Sequence, residues 1–218
     1  MNGSRTRLRK MSDVSWVIWF TTAATVQLAV LDLVLGLITP DYDIVRDTSS
    51  QLMSPDARYE GLARVSLGLH AALLLPFMMT TGRLLSTGQL RSGLITTAIS
   101  VYIVAALISA IAANDSNAQA IGDLTANQVH DLAAIVMFAA AFATLIGTLF
   151  TIRTLSWSGQ IATYASFTVL IIAGPVFLAE IVTEINGILE RVLASAFLIW
   201  MVAIAWSAKN RNRLGDLE

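Results

Sequence analysis

No cysteine occurs among the 218 residues, which excludes disulfides, thiolate metal sites, iron–sulfur clusters and c-type haem attachment. Only two lysines are present, Lys10 and Lys209, both flanking the apolar region. No intramembrane amine is therefore available for a retinal Schiff base. The two histidines, His70 and His130, are the only possible bis-His haem pair, and their positions imply different depths. A zinc site built from both plus an aspartate has no diagnostic ligand spacing. No cofactor is expected. Charge is scarce too, at 13% against 56% hydrophobic residues, which leaves too little polar surface for a soluble domain. Neither an internal repeat nor a low-complexity tract is visible, and nothing points to nucleic acid.

What the chain does have is apolar length. A bilayer core of about 30 Å needs about 20 helical residues per span, and six stretches qualify: 14–39, 59–85, 92–113, 126–152, 161–183 and 187–208. The expected fold is all-α, a polytopic six-transmembrane-helix bundle forming a single membrane domain over residues 1–218. The first run is too long for a signal peptide, and no small-residue cleavage pattern follows before Pro40, so it counts as the first span. Segments on the N-terminal side hold Arg5, Arg7, Arg9, Lys10, Arg83, Arg91, Arg153, Lys209, Arg211 and Arg213, against Arg46, Arg58, Arg64 and Arg191 on the other. This bias places both termini in the cytoplasm. Trp16, Trp19, Trp157, Trp200 and Trp206 all fall toward the same side, most of them as headgroup-level anchors.

Ionisable residues within the spans crowd toward the opposite half: Asp32, His70, His130, Asp131, Glu180, Glu184, Glu190 and Arg191. A charge in hydrocarbon costs several kcal/mol unless paired or hydrated, so a one-sided cluster points to a hydrated cavity open to the outer face. Asp32 lies about eight residues inside the end of its span and His70 about ten, which is deep at about 1.5 Å per residue. Pairing with His70 or Arg64 would keep Asp32 charged. Glu180 lies one turn deeper than Glu184, which reaches the surface, and Pro76 and Pro175 mark expected bends. Glu190 and Arg191 are adjacent and cannot face each other on a helix. Arg191 is expected to reach Asp131 or Glu180, and Glu190 to reach Arg46 or Arg64. A structural clamp is the competing reading for that pair.

Two connections are long and polar, as functional loops often are. In 40–58, Ile44, Val45, Leu52 and Met53 among polar neighbours fit a short amphipathic helix over the mouth, capped by Thr48 or Asp47. The run TANQVHD opens the fourth span with Thr125 as N-cap and Gln128 at the third helical position, a capping box. Asn127, His130 and Asp131 follow at helical spacing, able to act as acid or base or simply to bind water.

The segments PDYDIVRDTSSQL (40–52), VHDLAA (129–134) and GILERVL (187–193), with the His70 region and Trp200, together resemble the six-span prokaryotic membrane family catalogued as domain of unknown function 998. Tyr42, Asp47, Ser50 and Leu52 match its first outer loop, where Met53 replaces the usual glycine. His130 matches the family's fourth-span histidine, and Glu190 with Arg191 its sixth-span pair. The resemblance implies a six-helix bundle in a prokaryotic plasma membrane and no particular activity.

Three functional classes stay open. A protein binding a lipid or small amphiphile, and processing it, would use Asp32, Arg46, His70, Asn127, His130, Asp131, Glu180, Glu190 and Arg191 as its pocket. Ser50 would then be the available nucleophile, His130 the base, and Asp131, Asp47 or Asp32 the orienting acid. A transporter would relay protons through Asp32, His70 and Glu180, although the inner half offers only Gln27, Thr96, Thr97, Ser100 and Ser109 to complete a path. A structural protein would use the same charges as an ion-pair network. The partners expected are membrane lipids, and the sequence carries no signal for oligomeric state.

Overall fold

The computed structural model describes residues 3–85, 89–112, 119–121, 123–178 and 183–214. Within them run helices α1 (Gly3–Ile38), α2 (Glu60–Leu73), α3 (Leu75–Leu85), α4 (Gln89–Ile111), α5 (Ala126–Leu149), α6 (Trp157–Leu178) and α7 (Asn186–Leu214). A short antiparallel ladder, Gln119–Ile121 with Leu124–Thr125, leads into α5. Six segments are long and apolar enough to cross a membrane: Ser15–Ile38, Glu60–Gly82, Ser92–Ile111, Ala126–Leu149, Trp157–Phe177 and Asn186–Lys209. The chain is a multi-pass, all-α membrane protein. We call the end that carries the 38–60, 111–126 and 178–186 connections the distal end, opposite the basic N-terminus.

The second span is two helices. Proline lacks an N–H, so Pro76 cannot bond the carbonyl one turn back, and regular α-geometry breaks at Leu74, whose N–H donates to the His70 and Ala71 carbonyls at 3.2 and 3.3 Å. Pro175, by contrast, sits inside α6 without ending it. That helix starts at Trp157 rather than at 161, because Ser156 just before it is tied to α7 through its N–H and Ser207 Oγ at 2.8 Å.

Sequence neighbours pack as antiparallel pairs, α4 most closely with α5 and α6 with α7; α1 covers α7 and α2, and α5 meets α6 only loosely. Trp200 lies at the centre. It is 0% exposed, stacked on Phe197 at 5.4 Å and edge-on to Phe77 at 6.3 Å, and its indole N–H donates to Thr163 Oγ1 at 3.1 Å. Trp200 is thus a core residue and not the interfacial anchor that its depth implies. Trp19, 74% exposed, and Trp157 remain on the flank where an indole can reach a headgroup.

Polarity inside the bundle away from the distal end is largely spent on the backbone. Thr21, Thr144, Thr148 and Thr163 each donate to the carbonyl four residues earlier at 2.8 Å, and Ser100 does the same to Thr96. Such bonds satisfy a hydroxyl without needing water, so these side chains do not form a hydrated path.

Candidate functional site

The distal end is organised by one guanidinium. Asp32 leaves α1 about one and a half turns before the helix ends, and Arg191 leaves α7 one turn after it begins. Arg191 Nε donates to Asp32 Oδ2 at 2.7 Å, in a pair whose side chains are only 18% and 16% exposed. Its Nη2 donates to Asp32 Oδ1 at 3.4 Å and to Tyr42 Oη at 2.5 Å. Nη1 donates to the carbonyls of Ile44, Asp47 and Gly187 at 3.0, 3.0 and 2.9 Å. All five N–H groups of the guanidinium are therefore engaged. The partners expected from sequence, Asp131 and Glu180, are not those observed for Arg191; Glu180 itself lies outside the described residues.

The loop after α1 is folded so that its carbonyls reach that arginine. Asp41 takes φ 59°, a left-handed turn that aspartate tolerates better than most residues. Asp47 Oδ2 accepts from the Asp43 N–H at 2.7 Å and Asp43 Oδ1 from the Val45 N–H at 2.9 Å, tying the turn to itself. The Tyr42 hydroxyl reaches the Asp47 and Thr48 carbonyls, both at 2.9 Å. Burial pushes the Tyr42 hydroxyl up to about 12, against the opposing pull of Arg191, so it stays a neutral phenol at physiological pH. The amphipathic segment is a 3-10 helix, Ser49–Met53, with Leu52 and Met53 buried; Thr48 stands at its N-cap position without a side-chain cap bond. Glu190 Oε2 accepts from the Ser49 N–H at 2.6 Å, in place of the ion pair with Arg46 or Arg64 expected for it. Arg46 is exposed beside Asp43 at 3.7 Å. Arg64 instead bonds Glu60 at 2.8 Å and caps α4 through the Ala110 and Ile111 carbonyls.

Beneath this loop is a cavity of about 480 Å³, within the size range of small-molecule sites. Its distal part is lined by Ser49, Ser50, His130, Asp131, Asn186 and Glu190 together with the Asp32–Arg191 pair. Its deeper part is lined by Leu28, Leu67, Phe138, Leu170, Phe177 and Phe197. Side chains from α1, α2, α4, α5, α6 and α7 thus converge on one space that is polar at one end and apolar at the other.

His130 is 1% exposed. Its Nδ1 lies 3.0 Å from the Ser109 carbonyl and 3.3 Å from that of Ala112; a carbonyl can only accept, so Nδ1 carries the proton and Nε2 presents a lone pair. Asp131, exposed and also on the cavity wall, accepts from Asn127 Nδ2 at 2.9 Å. The capping box of Thr125 and Gln128 forms at 3.2 and 2.9 Å. Ser50 bonds Thr48 at 2.7 Å. The imidazole is held by a serine and by carbonyls rather than by a carboxylate, and the Asp47 carboxylate is spent on its own turn.

His70, 0% exposed, is not on the cavity wall. Its Nδ1 lies 3.1 Å from the Ala24 carbonyl and its Nε2 3.2 Å from Tyr102 Oη. Tyr102 does line the cavity, so His70 stands behind it. Arg46 and Asn127 also lie off the wall. Sequence reasoning passed over Tyr102, Ser49 and Asn186 as lining residues and placed Ser109 only on a transport path. Ser109 and Tyr102 were detectable as polar groups within one otherwise apolar span; Asn186 and Ser49 had no signal of their own, because the cavity depends on where the loop lands.

Comparisons with known proteins return a family and nothing narrower. No curated protein and no solved structure matches the chain. The family described as "Protein of unknown function (DUF998)" matches residues 22–207, a stretch that takes in all six spans except the first turns of α1 and the last residues of α7. With six helices long and apolar enough to span a membrane and that match over most of its length, the chain belongs to the DUF998 family of membrane proteins.

Proposed function

We propose that this protein binds one lipid or similar amphiphile, with the headgroup under the 40–58 loop and the chain in the apolar depth. The observation that carries this reading is the cavity of about 480 Å³, with carboxylates, hydroxyls and an imidazole at its distal end and leucines and phenylalanines below. Two apolar lining residues, Leu33 of α1 and Ile135 of α5, are also half exposed on the flank of the bundle. An acyl chain thus has access from the bilayer, where apolar ligands are already concentrated. The spent hydroxyls elsewhere in the bundle favour this reading over a proton path.

Native mass spectrometry of the purified protein tests it. Ala194→Trp places an indole inside the cavity from α7 and His130→Gln alters its polar end. Each is expected to lower retention of co-purified lipid by about tenfold, the loss of roughly one good contact set, while the melting temperature holds. An unchanged lipid complement in both variants, with both folded, would refute the binding role.

In the same reading the distal end faces out of the cell, which the arginine bias and the positive-inside rule favour. Single cysteines at Asp56 and Ser158, both exposed and at opposite ends of the bundle, read the orientation directly. An impermeant thiol reagent added to intact cells is expected to label Asp56→Cys and leave Ser158→Cys unmodified; the reverse pattern inverts the topology.

A further inference from the structure

Resting on the amphiphile reading above, we infer that the headgroup taken by this cavity is a primary ammonium rather than a phosphate or carboxylate. Among the described lining residues there are three carboxylates, on Asp32, Asp131 and Glu190, and one cation, Arg191. That cation has nothing left to give. Its five N–H groups go to Asp32, Tyr42 and three loop or helix carbonyls, so it neutralises Asp32 and offers an incoming anion no donor. An anionic headgroup would enter beside two further carboxylates with no paired charge, the arrangement that costs most in a desolvated site.

The remaining polar groups ask for donors. Glu190 uses Oε2 for Ser49 and Asp131 uses Oδ2 for Asn127, which leaves one carboxylate oxygen on each. His130, with its Nδ1 committed to carbonyls and its Nε2 3.5 Å from the Ser109 hydroxyl, presents no free donor to an anion. The buried Asn186 Oδ1 has no hydrogen-bond partner among the described residues. An ammonium supplies N–H donors and a positive charge, which suits a set made of acceptors and carboxylates. The apolar depth below supplies the reason for a chain attached to it.

The test uses the purified full chain with hexadecylamine, hexadecyl phosphate and hexadecyl maltoside, each added below its micellar concentration, and reads occupancy by native mass spectrometry. Hexadecylamine is expected to bind about tenfold more tightly than the maltoside and the phosphate more weakly than both, since a charge-assisted hydrogen bond outweighs a neutral one by about that factor. Glu190→Gln and Asp131→Asn should each abolish most of the preference for the amine over the maltoside. Asp131→Asn carries the test if the Glu190 variant fails to fold, and the three-ligand comparison on the unaltered protein needs no variant. Phosphate binding equal to or tighter than amine binding overturns the headgroup assignment while leaving an amphiphile site in place. Binding of none of the three, with Ala194→Trp also silent, overturns the amphiphile reading itself.

Discussion

Arg191→Ala is expected to destabilise the protein by about 3–5 kcal/mol, the range found when one partner of a buried ion pair is removed and the other is left unpaired. Asp32 would be stranded in α1 at 16% side-chain exposure. Three carbonyls, of Ile44, Asp47 and Gly187, and the Tyr42 hydroxyl would each lose a donor. Arg191→Lys should rescue only part of the loss, because an ammonium on a flexible stem cannot reproduce a planar fork that serves a carboxylate, a phenol and three carbonyls together. The double variant Asp32→Ala with Arg191→Ala should be less damaged than the sum of the two single changes, since neither then leaves a buried charge alone. Thermal unfolding in detergent measures all four. A melting temperature of Arg191→Ala equal to that of the unaltered protein would show that the pair is hydrated and of no structural weight.

Gly187→Ala should be nearly as harmful, although it adds one methyl group. A Cβ at Gly187 would run into the Asp47 carbonyl oxygen and lie 2.7 Å from that of Ile44. Both are backbone atoms and cannot swing aside as a side-chain tip could. The loop would have to lift away from α7, breaking the bonds from the Gly187 N–H to the Arg46 carbonyl at 3.1 Å and from the Ile188 N–H to that of Val45 at 3.2 Å. Overpacking together with two lost hydrogen bonds is worth about 3 kcal/mol. The same shift would move Ser49 and Ser50 off the cavity, so lipid retention should fall along with stability. Gly61→Ala, at an exposed position where a Cβ meets nothing within 4 Å, is the control and should be neutral or slightly stabilising through helix propensity. Equal melting temperatures for the two alanine variants would mean that the loop does not rest on α7 as described.

Both predictions concern contacts of the last span with the first span and the loop after it, and these are what the sequence did not disclose. Asp32, Glu190 and Arg191 stood out individually, because a charge in hydrocarbon demands an explanation wherever it occurs. Their pairing did not, since Asp32 and Arg191 are 159 residues apart and every arginine or carboxylate at the same depth was an equal candidate. Arg64 illustrates the point: it is equally close to the distal end and caps α4 instead. His70 and His130 likewise looked equivalent from their residue type, yet one lines the cavity and the other is sealed behind Tyr102. Rotation about the helix axis separates them, and a span that is apolar nearly all round has no amphipathic stripe from which to read that rotation.

The sequence by itself determined the class and the span count, because hydrocarbon leaves so few options: about 20 apolar residues per helix, with every backbone polar group satisfied inside it. It also determined the local signals that depend on near neighbours alone, the Thr125–Gln128 capping box and the interruption ahead of Pro76. Only the tertiary structure decided that Trp200 belongs to the core, that Arg191 is consumed by Asp32 and the loop, and that Asp131 and Glu190 border one cavity. Those outcomes depend on which faces of six similar helices turn toward one another. Packing and long-range charge pairing settle that together, and neither leaves a periodic trace in the chain.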